Sequence, residues 1–326
     1  MGNHFPMGHG FPIFLGKTMN TTNLQNIKKK VMLASLNISA WTGRAFDNKA
    51  TGTVERSFAS SKIGRFNKDL MPGKPESFDS LLKAGTRIRK DFSTYTLAYQ
   101  QDGVRLMPAG VYLEYSKQIR DEQKAYEGLV EKFISEYEDI KLDSQHKLGD
   151  LYNEDDYPNI PTLRDKFGIN FWVLPFPDAE DFGVELPAAE LFEEKRKINS
   201  RMQNAIDFAH DDLSTRLYDA TLKLAQRAAS DGKFHSSALE NLREIIQILP
   251  KLNFSEDKRL TELANQASRE LTVFDVDALR SQPSLRRDVA DRATGIALEM
   301  SEYMGKPFDN SLLYDDSSDQ LDLLTA

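Results

Sequence analysis

Two short motifs in the 326-residue chain have the residue types of a metal site. Each is Asp-x-x-His, a spacing that puts a carboxylate and an imidazole on one face of a helix. The motifs are Asp143–His146 and Asp207–His210. Di-iron bundles use this spacing, with Glu in place of Asp and two further Glu residues. If the two helices fold back on each other near residue 168, the histidines lie roughly 30 Å apart. The pattern therefore predicts surface histidines and no metal site.

Other catalytic motifs are missing from the sequence. The chain has no cysteine, which excludes disulfides, thiolate zinc sites and cysteine nucleophiles. It also lacks a phosphate-binding GxxxxGK[ST] loop, a GxGxxG turn, an HExxH motif and a GxSxG elbow. We therefore predict a protein without a cofactor that is not an enzyme, and an enzyme with an unrecognised site stays as the residual alternative.

Charge is distributed unevenly along the chain. Residues 1–100 contain 15 Lys and Arg against 6 Asp and Glu, a net charge of +9, although the whole chain carries −8. Aromatic residues lie among these cations, namely Trp41, Phe46, Phe58, Phe66, Phe78 and Phe92. Cations neutralise phosphates, and aromatic faces stack on unpaired bases. This region therefore predicts a nucleic-acid-binding surface.

The candidate residues of that surface are Lys28, Lys29, Lys30, Trp41, Arg44, Lys62, Arg65, Lys68, Arg87, Arg89 and Lys90. Two alternatives stay open. The aromatic residues could form a core under a solvated charged face, or the basic region could dock on the acidic remainder of the chain.

Hydrophobic spacing predicts a mainly α fold. An apolar seam indicates a long helix at about 110–150, and a second stripe indicates another from Pro187 to about 230. Between them, four prolines exclude a continuous helix, and Lys166–Leu174 has strand character. We therefore predict an elongated antiparallel helical hairpin with a small Pro/aromatic, β-containing tip. Glutamates in the seam fit an intrachain hairpin or an intermolecular coiled coil equally well, so a homo-oligomer stays open.

The predicted organisation has five parts. They are a disordered extension (1–18), a basic, mixed α/β N-terminal region (19–103), the hairpin stalk (104–232) with its tip (151–186), a C-terminal helical bundle on the stalk base (233–306), and an acidic disordered tail (307–326). The tail has five Asp and no basic residue, so it either solubilises the protein or binds a partner or the basic surface. No apolar run approaches the length of a membrane helix, which predicts no membrane association and a cytoplasmic location.

Aromatic residues at the tip are a second candidate surface. They are Phe167, Phe171, Trp172 and Phe176. Aromatic side chains often anchor protein interfaces, so these residues would contact a protein partner. The alternative is that they form the small core of the tip itself.

Several strings together resemble a known group of sequences. They are LNISAWTGRAFDNKAT (36–51), GRFNKDL (64–70), GVRLMPAGVYLEY (103–115) and the DKFGINFWVLPFP core of 151–183. They resemble an uncharacterised family of phage and mobile-element proteins, encoded near MoxR/CobS-type AAA+ ATPases and von Willebrand-type proteins. The likeness covers about residues 24–305, implies a phage protein in a bacterial host cell, and brings no catalytic motif.

Two functions follow as hypotheses. The first is a non-enzymatic adaptor or scaffold protein whose tip contacts a protein partner, and the family resemblance implies an AAA+ ATPase as that partner. The second is a nucleic-acid-binding or single-strand-annealing protein that uses the basic N-terminal third.

Overall fold

The computed structural model describes residues 26–62, 64–100, 103–230, 232 and 234–309. The predicted extension at 1–18 and residues 310–326 of the acidic tail lie outside this range. Helices make up most of the described chain, so the predicted mainly α fold is confirmed. The helices are α1 (Asn48–Ser57), α2 (Glu76–Tyr95), α3 (Ala109–Leu148), α4 (Ile160–Arg164), α5 (Ala188–Ala229), α6 (Ser237–Leu252), α7 (Lys258–Leu271), α8 (Val276–Ser281) and α9 (Pro283–Tyr303).

The two long helices form where the sequence predicts them. Each follows directly after a proline, Pro108 before α3 and Pro187 before α5. Both prolines are N-cap residues with extended backbone, and proline is tolerated there because the helix does not need the missing N–H. Helix α3 ends at Gly149, whose φ of +53° lies in the left-handed region that favours glycine.

The packing partners of these helices differ from the predicted hairpin. Helix α3 packs mainly along α2, whereas α5 packs mainly on α9 and α6. The expectation that α3 and α5 pair along their lengths is therefore corrected. Each amphipathic helix needs an apolar partner, but its stripe does not encode which of several helices supplies it.

A three-stranded antiparallel sheet joins distant parts of the chain. Its strands are β1 (Val31–Ser39), β4 (Arg105–Pro108) and β5 (Gly168–Pro175), with β1 in the centre. Met32 lies opposite Pro175 and Ser39 opposite Gly168, so β5 pairs with β1 over its whole length. The strand predicted at the tip is real, but it lies on the N-terminal region because a lone strand must find a partner for its backbone N–H and C=O groups.

An aromatic cluster fills the core between this sheet and helices α2 and α3. Trp41 lies at its centre, with ring centroids 6.2 Å from Phe78, 6.5 Å from Phe133 and 6.0 Å from Tyr137. These edge and tilted contacts are the arrangements that aromatic rings prefer. The core therefore holds residues from three separate parts of the chain.

Candidate nucleic-acid interface

Residues 44–69 form a small unit that we call the ribbon–helix segment. Its two strands, β2 (Arg44–Phe46) and β3 (Asn67–Asp69), pair antiparallel, and α1 connects them. The carboxylate of Asp47 caps α1 by accepting the Ala50 N–H at 2.8 Å. None of the residues of α1 is buried. The segment is thus ordered by its own hydrogen bonds and presents its helix to solvent.

The segment meets the core at Gly43 and Leu70. Gly43 has a φ of +65°, and a β-carbon at this position would lie 2.6 Å from Met71 Cε. Only glycine adopts this backbone without strain. The Leu70 N–H donates to the Gly43 carbonyl at 2.7 Å, and Leu70 and Met71 are each 1% exposed. The base of the segment is therefore fixed.

Three phenylalanines of the segment are exposed to solvent. The exposed fractions are 43% for Phe46, 73% for Phe58 and 40% for Phe66, and Val54 on α1 is 42% exposed. Large aromatic side chains are usually buried. Exposed apolar groups gathered on one small unit indicate a contact surface.

Exposed cations accompany these rings. They are Arg44, Lys49, Arg56, Lys62 and Arg65. The Arg65 guanidinium lies 5.5 Å from the centroid of the Phe46 ring, within cation–π range. The acidic groups Glu55 and Asp69 accept backbone N–H groups, from Lys62 at 2.6 Å and Met71 at 3.0 Å. The surface therefore combines positive charge with flat apolar faces.

Lys68 lies on the other face of the ribbon and does not belong to this surface. Its side chain is 4% exposed. Its Nζ lies 3.0 Å from Asp47 Oδ2 and 2.7 Å from Asp156 Oδ2, and it donates to the Leu151 carbonyl at 2.7 Å. The prediction that Lys68 contacts nucleic acid is wrong, because its buried ammonium is held by two carboxylates and a carbonyl inside the protein.

The pKa shifts agree with this structural role. Burial alone would lower the pKa of Lys68, but hydrogen bonds to Asp156 and Asp47 outweigh it and raise the pKa. The backbone N–H of Ala50 and the ammonium of Lys68 hold the pKa of Asp47 below its ordinary value of 3.8. The ion pair therefore stabilises the fold at neutral pH.

Replacing Lys68 by Met should lower the free energy of unfolding by about 3 kcal/mol, since it leaves two carboxylates without their buried cation. Urea unfolding monitored by circular dichroism measures this change. The difference from wild type should persist above pH 3.8 and shrink as pH falls further, because Asp47 then becomes neutral in both proteins. The control is Lys62→Met, which changes an exposed cation; equal stability losses in the two variants would contradict the role of Lys68.

Two further predicted nucleic-acid residues are buried. Trp41 is 8% exposed and belongs to the aromatic core. The side chain of Lys28 is also 8% exposed and forms an ion pair with Asp178 at 2.7 Å. These two predictions are wrong, because each side chain packs against parts of the chain far away in sequence.

The remaining predicted cations divide into paired and open groups. Lys30 pairs with Glu256 at 2.6 Å and Arg87 with Glu122 at 2.7 Å, while Arg89 donates to the Ile38 carbonyl at 3.0 Å. Those interactions compete with phosphate for the same donors. Lys29 and Lys90 are exposed but lie outside the ribbon–helix segment. Of the predicted surface, Arg44, Lys62 and Arg65 lie exposed on the ribbon–helix segment, with Arg65 over the Phe46 ring.

The four predicted tip aromatics do not form an exposed patch. Phe167 is 9% and Phe176 6% exposed. Phe171 packs on Phe92 and Tyr115, with ring centroids 6.3 and 5.3 Å away. Only Trp172 of the four reaches solvent substantially, at 37%. The tip prediction is therefore wrong for three residues, because pairing of β5 with β1 turns them into core.

The histidines also differ from expectation in one respect. His210 is partly buried, with its Nε2 3.1 Å from the Tyr303 hydroxyl and 3.5 Å from Asp257 Oδ2. It therefore stabilises the contact between α5 and the end of α9. Among the described residues, no group of three or more His, Cys, Asp or Glu side chains is arranged to hold a metal ion.

Comparison with known proteins adds no relative. No family model, no curated protein and no solved structure matches the chain. The likeness to phage and mobile-element proteins thus stays a prediction. Within the part of the chain that the structure describes, every helix is too short or too polar to cross a membrane.

Proposed function

We propose that the protein binds single-stranded nucleic acid, without catalysis, through the ribbon–helix segment. The observation that supports this function is the exposure of Phe46, Phe58 and Phe66 beside exposed cations on one unit of 26 residues. Base stacking on aromatic rings contributes about 1–3 kcal/mol per base and requires unpaired bases. Cations supply the phosphate contacts that do not depend on sequence.

The adaptor hypothesis loses most of its surface in this fold. That hypothesis requires exposed tip aromatics, but Phe167 and Phe176 are buried. An AAA+ ATPase as partner rests only on the sequence resemblance. The competing proposal is a protein partner at the ribbon–helix segment. Absence of nucleic-acid binding in the experiment below would favour that partner.

Salt dependence tests the proposal directly. Fluorescence anisotropy with labelled single-stranded DNA and RNA of about 20 nucleotides, and with the matching duplexes, should show tighter binding to single strands. Log affinity should fall linearly with log salt, at a slope of about −0.7 for each phosphate contacted. Arg56→Gln should make that slope shallower by about 0.7.

The matched control is Lys258→Gln, which neutralises an exposed cation of α7 and should leave the slope unchanged. Absence of binding at about 50 mM salt, where phosphate contacts are strong, would contradict the proposed function. Preference for duplex over single strands would contradict the stacking role of the phenylalanines.

A further inference from the structure

The first turns of α5 pack only loosely on the rest of the molecule, through the Lys195–Glu180 ion pair at 2.9 Å and the partly buried Ile198. From Ala188 to Arg201 no side chain of the helix is buried, and burial begins at Met202. Phe192 is 67% exposed, and Val184 and Leu186 just before the helix are 54% and 38% exposed. Most helices in proteins owe their stability to packing of one face. We call residues 184–201 the α5 arm.

The α5 arm has its charges sorted into two halves. The first half contains Glu185, Glu190, Glu193 and Glu194 and no basic residue, whereas the second contains Lys195, Arg196, Lys197 and Arg201 and no acidic residue. Within the arm, Arg196 pairs with Glu193 at 2.7 Å, and Lys197 pairs with Glu194. These exposed pairs contribute little stability, so they remain free to exchange partners.

We propose that the α5 arm pairs antiparallel with the α5 arm of a second copy of the chain. The sorted charges support this occupant, because a two-fold axis between residues 194 and 195 puts the acidic half of each arm against the basic half of the other. In the same register Leu191 lies opposite Ile198, so the exposed parts of these two partly buried side chains leave water on pairing. A parallel pair would place like charges together, which is unfavourable. The inference is independent of the proposed function.

Mass in solution is the first test. Sedimentation equilibrium between about 1 μM and about 1 mM should show the wild-type mass rising from 37.0 kDa toward twice that value. A protein that stays monomeric over the whole range would overturn the proposal. Wild-type assembly beyond a dimer would also overturn it, since a two-fold interface closes on itself.

Charge reversal tests the site and the pairing of opposite charges. An acidic arm is made by R196E, K197E and R201E, and a basic arm by E190K, E193K and E194K. Each variant alone should be monomeric because like charges face each other, and a 1:1 mixture should form a heterodimer. Formation of the heterodimer in the mixture shows that both variants are folded. Dimers of either variant alone, or no complex in the mixture, would show that the interface is not this arm.

A single introduced cysteine tests the register. Since the chain has no cysteine of its own, Glu194→Cys should yield one covalent dimer on oxidation, because the two-fold axis brings the two copies of residue 194 close together. Leu113→Cys, at a side chain that is 79% exposed on α3, is the control and should remain monomeric. Equal cross-linking of both variants, or of neither, would contradict the antiparallel pair.

Discussion

Replacing Phe46, Phe58 and Phe66 together by alanine should lower the affinity for single-stranded nucleic acid at least about 100-fold. Each ring that stacks on a base contributes about 1–3 kcal/mol, and 1.4 kcal/mol corresponds to a factor of ten. The salt dependence should keep its slope, because the cations that contact phosphates remain in place. Anisotropy titrations at several salt concentrations measure both quantities in one experiment.

Stability separates this effect from damage to the fold. All three rings are exposed, so the free energy of unfolding should change little, as for most surface substitutions. Phe208→Ala is the matched control, since Phe208 is 48% exposed on α5, and it should bind like wild type. Wild-type affinity in the triple variant would show that the phenylalanines do not contact nucleic acid.

Replacing Trp41 by alanine should lower the free energy of unfolding by about 3–5 kcal/mol, the range for a large aromatic residue removed from a core. The expected loss is large because Trp41 is 8% exposed and contacts Phe78, Phe133 and Tyr137. Urea unfolding monitored by circular dichroism is the measurement. Trp41→Phe should cost less, since a ring still fills part of the space.

The other tryptophan of the chain supplies the control. Trp172 is 37% exposed, and Trp172→Ala should change stability by less than Trp41→Ala because little packing is lost. The chain has two tryptophans, so each single variant retains one tryptophan. The fluorescence of that variant comes from the remaining tryptophan. A stable Trp41→Ala protein that fails to bind nucleic acid would restore the base-stacking role that the sequence predicts for Trp41.

Local patterns predicted the long helices well. The apolar stripes in the sequence place α3 and α5 within a few residues of their observed bounds. A proline directly precedes each helix. Helical hydrogen bonds join residues four apart, so most of the information that a helix needs lies within its own segment. The same holds for β5, because the strand character of Lys166–Leu174 is visible in its own residues.

Pairing between distant segments was not predictable in the same way. Strand β5 lies 129 residues from β1, measured from Ser39 to Gly168, and its composition fits several partners. The choice of β1 removes Phe167 and Phe176 from the surface. From the sequence alone, where that pairing is not visible, the same aromatic residues predict an exposed tip.

The candidate interface shows the same division at the level of single side chains. Lys62 and Lys68 are both cations of one basic region, but only Lys68 reaches the Leu151 carbonyl, 83 residues away. By itself the sequence determined the helical class, the absence of cysteine chemistry and the mixture of cations and aromatic residues in the first third. Only the tertiary structure decided which of those residues reach solvent, because burial depends on contacts between segments that are far apart in the chain.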